Sequence, residues 1–278
     1  MSNTNLTKAK KAKCDEFYTQ YADIEKELQY YNFEDKIVYC NCDHPIQSNF
    51  VKYFCDNYHK LKLKGLISTF YSEEGKSFVY RYDGLKESKK GLNGNGSYDS
   101  EEYLKLLEEC DVVVTNPPFS LFREYVAQLM EYGKKFLIIG NMNAVTYKEI
   151  FPYIKNNELW LGMNWIKDFV QPNGEIKKFG NICWYTNIDH KKHNEPLDLY
   201  RKYDATAYPK YDNYDAIEVS KVADIPIDYK GVMGVPITFL YKYNPSQFEI
   251  VKFRKGNDDK DLSVNGKCPY FRILIKKR

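Results

Sequence analysis

Long apolar runs are missing from this chain. None approaches the roughly 20 residues that a membrane span needs, so no membrane partner is expected. The N-terminus, Met1 to Lys13, carries Lys8, Lys10, Lys11 and Lys13 with no apolar core behind them, so it reads as a mobile basic arm and not as a secretory leader. Paired cysteines are missing too. The 7 cysteines are odd in number and have no paired spacing. Cys40, Cys42 and His44 share one face of a probable strand, but no second Cys/His pair follows at a zinc-like distance. Reduced thiols in a cytoplasmic protein without a metal are the better account. Charge of one sign is also scarce: 41 Lys and Arg against 38 Asp and Glu leave +3. Such a balance neither demands nor excludes nucleic acid, because a patch on one face matters more than the total.

What is present is enough for a full-sized core. The chain has 278 residues, 43% of them apolar, which suits one large α/β domain or one with a small appendage. Tyrosine is abundant, with 26 Tyr beside 16 Phe; such surfaces suit stacking on nucleic acid, and equally serve as half-buried core. Basic residues gather near the end, at Lys252, Arg254, Lys255, Lys267, Arg272, Lys276, Lys277 and Arg278. They read either as a solvated face or as phosphate contacts.

Periodicity gives a coarse map. A helix is expected over Asp15 to Tyr31, with Ile24, Leu28 and Tyr31 on one stripe. A short buried strand spans Lys36 to Cys42, and a helix capped by Ser48 or Asn49 follows. Leu63 to Phe70 and Ser77 to Tyr82 read as strands, and the polar stretch Asp83 to Gly96, with four glycines, as a loop. Asp99 and Glu102 suggest a capping box for a helix ending near Glu109. Three consecutive valines in Asp111 to Thr115 mark a central parallel strand, a turn and a helix through Glu131 follow, and Lys135 to Gly140 is a further buried strand. Thr146 to Lys155 reads as helical, Glu175 to Asn187 and Gly231 to Arg254 as strands, and Lys255 to Asp261 as a surface loop. Strand alternating with helix through the first 150 residues predicts an α/β fold, a doubly wound, mostly parallel sheet. Ligands in such sheets bind at the carboxyl ends of strands. Asn116 sits at such an end.

Asn116-Pro117-Pro118-Phe119 is the motif that carries chemistry. An exocyclic base amine such as adenine N6 is a poor nucleophile, because its lone pair is delocalised into the ring. Two acceptors holding its N–H bonds bend the nitrogen towards a tetrahedral shape and aim the lone pair at an electrophilic methyl group. The Asn116 side-chain oxygen and the Pro117 carbonyl are the candidate acceptors, with Pro117 and Pro118 stiffening the turn. Phe119 offers a flat face for a base that has left the duplex stack. Asn-Pro is also an ordinary turn starter. Its place between an apolar strand and a helix favours the catalytic reading. The motif alone does not choose between adenine, cytosine, guanine and glutamine amines.

Several further segments join this motif in a resemblance. They are DEFYT at Asp15 to Thr19, YCNCD at Tyr39 to Asp43 with Ser48 to Phe50, TNPPFSLFREY at Thr115 to Tyr125, and KFLIIGN at Lys135 to Asn141. WYTN at Trp184 to Asn187, YDNYDAIEV at Tyr211 to Val219 and GVMGVPITFL at Gly231 to Leu240 continue it. Over nearly its whole length the sequence resembles the EcoRI-type family of adenine-specific DNA methyltransferases. The resemblance implies a Rossmann-like class I methyltransferase fold with a C-terminal β-rich target-recognition extension, and S-adenosyl-L-methionine as cofactor. It implies that Phe17, Tyr18 and Thr19 bind the methionine part of that cofactor, although Gln20 stands where related enzymes often have proline. It places Asp43 and Pro45 in the first cofactor-binding loop. That loop lacks the usual Gly-x-Gly and has Ser48 and Asn49 instead, and Asp43 reads as either a helix cap or a ligand. A ribose-binding acid is expected near Ser68, Thr69, Tyr71 or Glu73, and an acid beside the cofactor adenine near Ser97, where Asp99 is nearest. Trp184 and Tyr185 are placed against a flipped base, with a core role the equal alternative; Lys252 and Arg254 are placed on nucleic acid.

The expectation is therefore a site-specific adenine-N6 DNA methyltransferase acting on double-stranded DNA, monomeric, with a cognate restriction endonuclease as a possible partner. Residues 1–13 would form the arm, 14–190 the methyltransferase domain and 191–278 the DNA-contacting region. The competing readings are an RNA base-amine methyltransferase, a cytosine-N4 enzyme and a nucleic-acid-binding module without catalysis.

Overall fold

The computed structural model describes residues 18–72, 76–170, 175–254, 262–269 and 271–278. The expected basic arm, Phe17, Glu73 and the loop from Lys255 to Asp261 lie outside the described residues. The chain divides into two compact units. The first runs up to Ala144 and resumes at Gly162–Ile188; the second takes Val145–Leu161 and Asp189–Arg278. Chain order thus separates them less cleanly than a boundary at 190 implies, since residues 145–161 belong with the C-terminal unit.

The first unit is built on a sheet of strands β1 (Tyr18–Thr19), β2 (Ile37–Cys40), β3 (Gly65–Ser68), β4 (Phe78–Tyr82), β5 (Glu87–Gly91), β6 (Val112–Thr115), β7 (Lys135–Asn141), β8 (Trp160–Val170) and β9 (Ile176–Thr186). Their order across the sheet is β1-β8-β9-β7-β6-β2-β3-β4-β5. The four central strands, β7, β6, β2 and β3, are parallel; β4 and β9 flank them antiparallel, and β5 pairs antiparallel with β4 at the edge. All four residues of β6 are buried, as a parallel strand covered on both faces requires.

Helices α1 (Tyr21–Leu28), α2 (Asn49–Asp56), α3 (Tyr58–Leu61), α4 (Glu101–Glu109) and α5 (Phe122–Glu131) supply the covers. Because side chains alternate along a strand, Val38, Cys40, Val112, Val114, Leu137, Ile139 and Trp184 share one face and pack with Ile24 and Leu28 of α1 and Phe50 and Phe54 of α2. The opposite face meets α4 through Tyr39 and Tyr103, with ring centroids 5.5 Å apart, and α5 through Tyr185 and Phe122 at 4.9 Å. The sheet is therefore wound on both sides.

Several expectations are corrected. Tyr18 and Thr19 are not the start of a helix: they pair with Val170 and Phe169 of β8, and α1 begins only at Tyr21. Asp83 to Gly96 is not all loop, because Glu87–Gly91 pairs with β4 as a fully exposed edge strand. No capping box forms on α4. Ser100 is the N-cap, accepting from the Tyr103 N–H at 3.3 Å. The Glu102 carboxylate instead accepts from the Asn93 and Gly94 amides and folds that loop. The sequence pattern does not predict strand β8.

The second unit holds α6 (Phe151–Lys155), α7 (Lys191–Asn194) and a four-stranded sheet ordered β10-β11-β13-β12, made of β10 (Ile217–Glu218), β11 (Val232–Pro236), β12 (Phe248–Arg254) and β13 (Arg272–Lys277). The expected strand region Gly231 to Arg254 is interrupted by a 3-10 helix at Ile237–Lys242. Its core includes a buried ion pair: Arg272 donates to both carboxylate oxygens of Glu218, which also accepts from the Tyr211 hydroxyl. Arg272 is therefore withdrawn from the set of expected phosphate contacts.

Candidate active site

Strand β3 lies on one side of β2 and β6 on the other, so the chain changes direction across the sheet between β2 and β6. Doubly wound sheets bind ligands in the crevice at that point, outside the carboxyl ends of the strands. Here the loop after β2 (residues 41–48) meets the turn after β6 (residues 116–119). The two are joined by one carboxylate. Asp43 accepts from Ser48 Oγ at 2.6 Å, from Thr115 Oγ1 and from the Asn116 backbone N–H. Thr115 Oγ1 in turn accepts from the Cys42 N–H at 3.2 Å, and Ser48 Oγ from the Phe50 N–H at 3.0 Å as the N-cap of α2. Burial pushes the Asp43 carboxyl up to about 6, and the three donors oppose that shift. Without Gly-x-Gly, a turn closed by the Gln47 and Ser48 amides on the His44 carbonyl shapes the loop, with Pro45 half-buried inside it.

The turn itself is firmly seated. Pro117 is buried, and Asn116, Pro118 and Phe119 are half-buried. The Asn116 side-chain oxygen is shielded from solvent, where a hydrogen bond gains strength from the low local dielectric. The Pro118 carbonyl accepts from the Leu121 N–H at 3.0 Å, opening a 3-10 turn at Phe119–Leu121 that leads into α5. Phe119 packs against the core beneath it.

Strand β1 brings Thr19 towards the same end of the sheet. It pairs with the last residues of β8, and the Thr19 carbonyl accepts from Asn49 Nδ2, at the start of α2, at 2.8 Å. Thr19 Oγ1 is buried and has no hydrogen-bond partner among the described residues, and the same is true of Asn41 Nδ2. Asn41 Oδ1 is held by the Tyr125 hydroxyl of α5. Orphaned buried donors are rare in native folds. Two in the segments flanking this crevice fit a ligand that carries both acceptors and donors, as the carboxylate and ammonium of an amino-acid moiety do. The sequence gives Asn41 no mark of such a role, because an Asn after a strand is a common turn residue. Thr115 was hidden by the more conspicuous motif beside it.

Other expected residues fall elsewhere. Ser68 and Thr69 are fully buried and spend their hydroxyls internally, Ser68 on the Asp43 carbonyl and Thr69 on Tyr39 and the Asn41 carbonyl. They are not free for a ribose, whereas Tyr71 is exposed. Asp99 accepts from Ser97 Oγ at the surface. Of Tyr18 only the backbone pairing is described. Trp184 and Tyr185 are core residues at 0% exposure. Trp184 packs on Phe50, and Tyr185 packs on Phe122 while donating to the Asn141 carbonyl. Neither presents a ring face to an incoming base, a correction that follows from the covers on both faces of the sheet. Lys252 and Arg254 lie on β12, an edge strand, each 5.7 Å from the Tyr214 ring centroid. Among the described residues no group of three or more His, Cys, Asp or Glu could hold a metal ion. No helix of the described residues is long and apolar enough to cross a membrane.

Comparison with known proteins identifies the family. A model described as adenine-specific methyltransferase EcoRI matches residues 5–278. The Type II methyltransferase M.EcoRI of Escherichia coli is 52% identical over 317 aligned positions, covering 100% of this chain and 97% of that protein. M.MpnI of Mycoplasma pneumoniae is 39% identical over 98% of both chains, and M.MgeORF184P of Mycoplasma genitalium 37% over 99% of both. No solved structure matches the chain significantly. With a family model over almost every residue, and an Asn-Pro-Pro-Phe turn seated at the switch point of a doubly wound sheet, the chain belongs to the EcoRI family of adenine-specific methyltransferases.

Proposed function

We propose that this enzyme transfers a methyl group from S-adenosyl-L-methionine to N6 of an adenine flipped out of double-stranded DNA at one short recognition sequence, within a restriction–modification setting. The observation that carries the reading is the convergence of the turn after β6 and the loop after β2 on one buried carboxylate. It supports reading the turn as the holder of the amine, beside the place where such sheets take their ligands. Thr19 and Asn41 would hold the amino-acid end of the cofactor with their unspent groups; Pro45 shapes the loop beside it. When bound, the cofactor supplies a methyl group on a positively charged sulfur, a good leaving group.

The chain's own residues do the rest. The Asn116 side-chain oxygen and the Pro117 carbonyl accept the two N6 hydrogens and orient the nitrogen lone pair. The prolines hold the acceptors in place before the base arrives, so little reorganisation is left for the transition state. Phe119 supplies a face for the extruded ring. Because transfer is a displacement between two positioned reactants, orientation supplies much of the rate. Lys252 and Arg254 on β12 are phosphate contacts in this reading, and the C-terminal sheet carries target recognition.

Long-read sequencing of DNA from a methylation-deficient host expressing the protein, beside Asn116→Ala, tests the proposal. N6-methyladenine in one sequence context, lowered roughly 100-fold or more in rate by the variant, is the expected result. Methylated RNA with unmodified DNA would transfer the activity to an RNA substrate. An Asn116→Ala enzyme of normal rate would remove the turn from the mechanism.

A further inference from the structure

Asp43 stands in the loop where a cofactor ligand is expected. Its surroundings leave it little capacity for that. One carboxylate oxygen receives Ser48 Oγ at 2.6 Å, the other receives Thr115 Oγ1, and the Asn116 amide adds a third donor. Its backbone is committed as well: the N–H donates to the Thr69 carbonyl at 3.0 Å, and the carbonyl accepts from Ser68 Oγ. The residue is thus tied at every polar atom to the end of β3, the start of α2, the end of β6 and the first residue of the catalytic turn. It is 8% exposed. The titratable groups that face it are Cys40 and Cys42, whose thiols burial holds protonated. Burying a carboxylate without a cation is unfavourable for the fold, and three charge-assisted hydrogen bonds offset that cost.

Resting on the methyltransferase reading above, we propose that Asp43 is a positioning residue: its carboxylate latches the Asn116–Phe119 turn to the cofactor-side loop, so that the amine acceptors and the methyl donor are held in register across the crevice. The latch runs from the Cys42 amide through Thr115 Oγ1 to Asp43, and from there to the Asn116 amide. A carboxylate serves here because it accepts on both oxygens. Asparagine in its place would turn an N–H₂ group towards either Ser48 or Thr115, so that one side of the latch would lose its acceptor. Displacing the acceptors by ~1 Å is enough to cost on the order of 100-fold in rate.

The test uses the full-length protein as wild type, Asp43→Asn, Thr115→Val and Thr115→Ser. Three readouts are taken: kcat on a duplex carrying the target adenine, the Kd for S-adenosyl-L-methionine by calorimetry, and amide hydrogen exchange in the peptide around Asn116. The expected result is a kcat roughly 10- to 100-fold lower in Asp43→Asn and Thr115→Val, with the cofactor Kd within about 3-fold and restoration of kcat by Thr115→Ser. Exchange around Asn116 should speed at least ~10-fold in the two slow variants. In the wild type kcat should fall as pH drops through the range in which Asp43 takes up a proton. In Thr115→Val, which lacks one donor opposing protonation, that fall should move to higher pH. A cofactor Kd weakened more than ~10-fold with kcat retained would make Asp43 a ligand and overturn the latch. So would a folded Thr115→Val with wild-type kcat and exchange. If Asp43→Asn does not fold, Thr115→Val and Thr115→Ser decide the question alone. If the wild type methylates no DNA, the functional reading fails, and the exchange measurement still decides whether the latch exists.

Discussion

At the scale of single residues, a group's environment outweighs its type. Asp43 is an aspartate whose carboxyl is pushed up to about 6 by burial, despite three donors. Its folded-state pKa is raised above the ordinary aspartate value, so the folded protein binds the extra proton between the two values. Stability therefore falls as pH rises through that window, by about 3 kcal/mol once both states are ionised. Asp43→Asn has no titrating group at this position. The melting temperature of the variant minus that of the unliganded wild type should accordingly rise between pH 4 and pH 7. A flat difference would show that Asp43 is not strained by desolvation. At Phe119, half-buried on the core beneath the turn, truncation to Ala should weaken capture of the extruded base more than it slows transfer. Steady-state kinetics would register this as a KM for DNA raised ~10-fold or more with kcat within about 3-fold; a loss confined to kcat would assign the ring a different role.

At the scale of elements, hydrophobic pattern identified the buried strands and failed where pairing alone makes the strand. The sequences IVYC of β2 and VVVT of β6 are apolar because they are covered on both faces, and that shows in sequence. ESKKG of β5 is exposed along its length and exists only because β4 offers it a ladder. Strand β1 has two residues and no pattern at all; β8 defines it. Strand β8 itself is anchored by Glu27, at 0% exposure on α1, whose carboxylate accepts from the Met163 and Asn164 amides at 2.7 and 2.8 Å and from the Tyr31 hydroxyl at 2.9 Å. Nothing local in the sequence marks Glu27 as buried, since the backbone amides that it accepts from are 136 and 137 residues away. Gly162 is required beside it: a Cβ there would lie 2.3 Å from Glu27 Oε1 and 2.6 Å from the Trp184 Cβ. Glu27→Ala should lower unfolding free energy by roughly 2–4 kcal/mol, because several buried donors lose their acceptor together. Urea denaturation would measure it, and a change below ~0.5 kcal/mol would mean that water replaces the carboxylate without loss.

At the scale of the whole molecule, the C-terminal basic residues that look alike in sequence separate into two kinds. Arg272 is spent on Glu218 inside the second unit, with side chains 12% and 8% exposed. Lys252 is exposed on an edge strand. Arg272→Met should cost roughly 3–5 kcal/mol in stability by leaving Glu218 buried without its cation, and should leave the salt dependence of DNA binding unchanged while the protein stays folded. Lys252→Glu should do the reverse, with near wild-type stability and a shallower slope of log Kd against log salt, by about 1. Titrations at several salt concentrations, together with melting curves, would check both; a common phenotype for the two variants would erase the distinction.

Consecutive residues alone specify the wound parallel sheet and the place of the Asn116–Phe119 turn at the end of a strand. These depend on local apolar runs and on a short motif, both of which are written in consecutive residues. Only the tertiary structure decided that Trp184 and Tyr185 are core, that Arg272 is an internal ion partner and that Ser68 and Thr69 are spent within the sheet. It also decided that Asp43 reaches across to Thr115, 72 positions along the chain. Such properties follow from which surfaces cover one another, and a side chain's burial and partners are set by residues that the chain brings close only when it folds.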